Sequence, residues 1–175
     1  MANTTSHLTG LFPDRASAER AYEGAVARGY GADDIDLVMS DETRKRHFGD
    51  TAAVKTELGS KAAEGAGIGA GIGGTLGAIA AAIAAVGTSL VLPGLGLVIA
   101  GPVAAAVAGA GAGGAAGGLM GALIGWSIPE ERVKEYETGI KQGGILMGVR
   151  PKSDDDATHL EDQWRTQAGG QSVYR

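Results

Sequence analysis

The side chains able to do chemistry in this chain are few and scattered. His7, His47 and His159 are its three histidines. None lies one helical turn from another, so the three or four converging ligands of a metal site have no scaffold in the spacing. His7 and His159 could meet only if a sheet closed between the two ends of the chain. There is no cysteine, which removes thiol nucleophiles, disulfides and thiolate ligands. Asp154, Asp155 and Asp156 set three carboxylates in a row but lack the alternating ligands and closing Glu of a calcium loop. Placed after Ser153, they read instead as acids at the positive end of a helix. Gly69-Ala70-Gly71-Ile72-Gly73-Gly74 matches G-x-G-x-x-G, a pattern that cradles phosphate only directly after a strand in a βαβ unit. Here it follows Ser60-Lys61-Ala62-Ala63-Glu64, which opens a helix, inside a run where almost any glycine spacing would match. The expectation is a protein with no catalytic residue, metal or cofactor, and therefore no enzyme.

Partners are narrowed by charge. Fifteen Lys and Arg stand against 20 Asp and Glu, a balance unsuited to a general polyanion binder, so no nucleic acid is expected. Nothing identifies a small-molecule ligand. Arg44-Lys45-Arg46 reads either as a contact for anionic lipid headgroups or as part of a solvated linker. Met1 to Gly10 lacks a basic stretch followed by an apolar run, so no secretory signal is expected. Trp126 lies where an apolar run meets charge, which suits an interface or packing on the helix that follows. Trp164 reads as core.

The elements that must position these residues form two similar halves. Ser6 to Phe12 alternates as a strand, Pro13 breaks it, and Asp14 caps a helix predicted from Arg15 to Arg28. Ala18, Ala21, Tyr22, Ala25 and Val26 form its apolar face, and Gly29 and Gly31 end it. Ile35, Leu37 and Met39 then alternate with Asp36 and Val38 as a second strand. The C-terminal part repeats the order: a strand from Gly144 to Arg150, Pro151, a Ser153 cap, a helix from about Asp155 to Gln167, Gly169-Gly170 and a short strand Ser172 to Tyr174. Two βαβ halves of this size predict an α+β fold, a ferredoxin-like βαββαβ domain. Ser127-Ile128-Pro129-Glu130 reads as a capping box opening an additional helix, with Val133, Tyr136 and Ile140 on its apolar face.

Between the halves the chain changes character. Residues 65–129 carry no Asp, Glu, Lys or Arg, and the apolar content is Ala, Gly, Ile, Leu and Val rather than aromatic. Gly65, Gly69, Gly73 and Gly77 recur every four residues, with Ile68, Ile72, Leu76, Ile79 and Ile83 as a second stripe. Gly109, Gly113, Gly117, Gly121 and Gly125 repeat that period further on. Each interior glycine costs a helix about 0.5–1 kcal/mol against alanine, so the period makes sense only where a bare stripe admits a second helix closely. Each run is long enough to cross a hydrocarbon layer of roughly 30 Å. The apex between them, Leu90, Val91, Leu92, Leu95, Leu97, Val98 and Ile99 with Pro93 and Pro102, is too apolar for a solvated turn and is expected to meet lipid or the inside of an assembly. The expected organisation is a first half and linker over 1–58, a glycine-zipper helical hairpin over 59–128, and the additional helix with the second half over 129–175.

On "LTGLFPDRASAERAYEGAVARGYGADDIDLVMS", "VLPGLGLVIAGPVAAAVAG" and "GLMGALIGWSIPEERVKEYETGIKQGGILMGVRP", the chain resembles bacterial general-stress proteins with a YflT-like (heat-induced stress protein) domain. It is most similar to the low-temperature-induced type with a glycine-zipper insert. The resemblance covers more than half the chain and is weakest from Asp154 to Arg175. It implies a stress-linked role and membrane association, and brings no catalytic residues. Two functions stand as expectations. One is a membrane-associated stress protein, its α/β domain cytoplasmic at the inner membrane and its self-packing hairpin in the bilayer. The other is a soluble cytoplasmic homo-oligomer, a shell, ring or filament in which hairpins pack on each other. The expected partners are copies of itself and a lipid bilayer.

Overall fold

Short β-branched runs punctuated by Gly and Pro build the sheet on which everything else rests. The computed structural model describes residues 7–48, Ile79, 89–92, 96–102 and 128–175. In chain order the elements are β1 (Leu8–Phe12), α1 (Arg15–Ala27), a 3₁₀ turn (Ala32–Asp34), β2 (Ile35–Ser40), α2 (Asp41–Phe48), β3 (Ser89–Leu92), β4 (Leu97–Ala100), α3 (Glu130–Lys141), β5 (Ile145–Val149), α4 (Asp154–Thr166) and β6 (Gln171–Tyr174). The fold is α+β. Six strands form one sheet in the order β3-β4-β2-β5-β1-β6, and every neighbouring pair is antiparallel. It follows that β1 and β2 run parallel with β5 between them, and β5 and β6 run parallel with β1 between them.

The helices start where polar caps satisfy free amides. Asp14 accepts from the Ser17 amide at 2.8 Å and Ser153 from the Asp156 amide at 3.1 Å. Three acids fill the first turn of α4, where the dipole favours them. Gly29 and Gly169, at φ +85° and +71°, turn the chain out of α1 and α4 as left-handed caps. The additional helix α3 starts differently from expectation: its N-cap is Pro129 with no side-chain cap bond, and Ser127 lies outside the described residues.

Two layers of helix cover the sheet. On one face Phe12, Leu37, Met39 and Met147 join Ala18, Ala21, Tyr22 and Ala25 of α1 and Leu160 and Trp164 of α4 in one core. Trp164 is fully buried, stands edge-on to Phe12 at 5.5 Å and donates its indole N–H to the Ala21 carbonyl at 3.3 Å. The opposite face carries Thr9, Leu11, Val38, Ile99 and Leu146, all buried. There α3 turns in Val133, Tyr136 and Ile140, and a Cβ at Gly139 would run into the Leu11 side chain. β1, β2, β4 and β5 are thus buried on both sides, so they read as apolar runs rather than strict alternations. Asp36, which alternates with Ile35, Leu37 and Met39 along β2, is 3% exposed for the same reason.

Two expectations need correction. The stretch after β2, expected as linker, is helix α2 over Asp41–Phe48. The Ser40 hydroxyl accepts from the Thr43 amide at 3.0 Å and so serves as a local cap. The second correction concerns the apex. Leu90, Val91 and Leu92 lie in β3 and Leu97, Val98 and Ile99 in β4, so this segment is a β-hairpin and not the turn of a helical one. β4 pairs with β2 from Leu37↔Ala100 to Ser40↔Leu97. Leu97, Val98 and Ile99 are buried within the protein's own sheet, which already removes their apolar surface from water without lipid or a partner chain. Leu95 and the zipper glycines Gly65, Gly69, Gly73, Gly77, Gly109, Gly113, Gly117, Gly121 and Gly125 lie outside the described residues.

Candidate functional site: the anchorage of the glycine-rich segment

Two side chains of α1 tie α2 and the uncharged segment to the domain. Arg15 and Glu19, one turn apart on α1, form an ion pair at 3.4 Å. Arg15 also donates to the His47 carbonyl at 2.6 Å and stacks its guanidinium 5.1 Å from the Phe48 ring centre. The second oxygen of Glu19 accepts the Ile79 amide at 3.1 Å. One ion pair therefore grips both His47 on α2 and Ile79 inside the uncharged segment. Ile79 is fully buried in the same core as Phe12 and Trp164. Ile79, a member of the second stripe marked by the spacing, thus packs in the protein's own core.

The exit from β4 is held as closely. Gly101 has φ +110°, and a Cβ there would lie 2.5 Å from the Ile35 carbonyl oxygen and 2.7 Å from a carboxylate oxygen of Asp36. Only glycine fits so close to the β2 backbone. Ile128, 5% exposed, returns the chain to α3. The uncharged segment is thus fixed at Ile79, 89–92, 97–101 and Ile128.

A second polar cluster joins the loops at one end of α1 and α4. The Tyr30 hydroxyl donates to Asp156 at 2.9 Å and accepts from the Lys152 amide at 2.7 Å. Arg28 pairs with Asp156 at 2.9 Å, and Lys152 with Asp34 at 3.2 Å. Burial pushes the Tyr30 phenol above its ordinary value, and hydrogen bonding to Asp156 adds to it. The Gly31 amide beside Asp34 holds that carboxyl below the usual range, with Lys152 contributing. Charges here are matched pair by pair, which describes a structural tie between the halves.

The residues singled out for chemistry are dispersed. His7 is half-buried, and burial lowers its pKa, with the Arg150 charge adding to the shift. His159 is exposed on α4, and His47 contributes its carbonyl to Arg15. Among the described residues no group of three His, Asp or Glu could hold a metal. Arg44, Lys45 and Arg46 lie on α2. Arg44 and Lys45 pair with Asp41 at 3.0 and 2.7 Å, and Arg46 pairs with Glu42. The triplet is thus largely neutralised along its own helix. Pro129, Glu131, Arg132, Glu135 and Tyr174 line a shallow cleft of about 280 Å³. Arg132 lies 5.3 Å from the Tyr174 ring centre and pairs with Glu135 at 3.2 Å. Trp126 and the glycine pattern at 69–74 lie outside the described residues.

Sequence reasoning missed Arg15, Glu19, Asp36 and Gly101 as anchors. The one available signal was an acid, Asp36, inside an apolar strand, matched by a Gly-Pro step after "LVIA". Comparison of the chain with protein-family models, with curated proteins and with solved structures finds no match.

Proposed function

We propose that this is a non-enzymatic stress-type protein whose working part is the uncharged glycine-rich segment, used to associate with copies of itself. One observation carries the reading: the apolar run Leu97, Val98 and Ile99 of that segment is buried in the protein's own sheet. What remains on either side is mostly Gly and Ala at a period of four, which gains more from close packing against a similar helix than from lipid. The α/β part is read as a ferredoxin-like βαββαβ domain, supported by the strand order β2-β5-β1-β6 with α1 and α4 on one face. The resemblance to general-stress proteins with a glycine-zipper insert supports the stress role.

A second reading, favoured by the absence of charge from 65 to 129, is association with a membrane, the α/β domain staying cytoplasmic. Among the described residues no helix is long and apolar enough to cross a membrane. The anchors restrict how the segment could span one. A single crossing over 103–127 would put Pro102 and Ile128, both in the described domain, on opposite sides of the bilayer. A double crossing needs about 40 residues, more than lie between them. Membrane contact by that run would therefore be made from one side.

The test is density-gradient flotation of the native, unextracted protein, with negative-stain microscopy of each fraction. Lipid-free particles of regular size, lost in Gly113→Leu and Gly117→Leu, are expected. Co-migration of all the protein with lipid, and no lipid-free particle, would overturn self-assembly in favour of the membrane reading.

A further inference from the structure

We draw no further inference here: the strongest candidate, the shallow cleft where the start of α3 meets β6, has its Arg132 and Glu135 bonded to each other and Glu135 also to Ser172, and nothing in the structure shows what would fill it.

Discussion

The two βαβ halves share a plan and diverge at their last strand. β2 has six residues, five of them buried, and pairs on both sides, with β5 and with β4. β6 has four residues, only one buried, and pairs with β1 through a register shift. The first half ends on a strand that can be extended, and the β3–β4 hairpin extends it. In the second half the last strand is closed off by Tyr136 and Arg165, which bond its carbonyls. The lesson is that a duplicated βαβ plan leaves open where a sheet stops growing; the apolar content of each closing strand and the side chains facing its edge decide it.

The contact common to both halves should produce the largest effect when broken. Trp164 of the second half packs on Phe12 and bonds Ala21 of the first. Trp164→Ala is expected to cost about 3–5 kcal/mol, read as a lowered midpoint in urea unfolding. A loss under about 1 kcal/mol would mean that the halves do not share one core.

Gly101→Ala sharpens the contrast at β2. A methyl group 2.5 Å from the Ile35 carbonyl, on a residue at φ +110°, should cost about 1–3 kcal/mol. Its signature is local: hydrogen exchange at β4 amides accelerates, while β6 amides keep their protection. Equal acceleration at both edges would show that the hairpin is not separately anchored.

Tyr136→Phe probes the closed edge and should have the smallest effect at neutral pH, about 1 kcal/mol, with faster exchange in β6. It also carries a pH signature. Burial pushes the Tyr136 phenol up to about 12, opposed by hydrogen bonding from Thr9. Burial likewise pushes Tyr22 up to about 12, with Glu19 and Asp33 adding to the shift. Both folded values lie above the ordinary value of 10.0, so the neutral phenols stabilise the fold. That contribution is complete below pH 10 and is lost as pH rises from 10 towards 12. Thermal melts across this window should show a falling Tm, with a shallower fall in Tyr136→Phe. A fall of equal steepness in the variant would place the alkaline sensitivity elsewhere.

The halves were legible because their signals are local. Asp14 and Ser153 cap helices where polar side chains next to apolar periodicity predict it, and Gly29 and Gly169 end them where a left-handed residue is required. Val133, Tyr136 and Ile140 fall on the buried stripe that their spacing marks. The apex misled because "SLVL" and "LVIA" are short apolar runs. Periodicity alone does not tell a buried strand from a membrane-facing turn. The anchors were illegible because Arg15 and Glu19 make their decisive bonds to His47 and Ile79, far along the chain, through backbone groups that carry no residue signature.

By itself the sequence determined the α+β class, the two-half plan, the α3 face and the division between charged and uncharged chain. Each of these follows from interactions among residues a few positions apart, where side-chain type sets local backbone preference. Only the tertiary structure decided that the "apex" completes a six-stranded sheet and that α3 covers its second face. It also decided that Asp36 is buried and that Tyr136 and Arg165 bond the carbonyls of β6. Those outcomes depend on which surfaces meet, and burial of apolar area is non-directional: a run such as Leu97 to Ile99 can satisfy it against lipid, a partner or a neighbouring strand, and the ladder with β2 selects the last.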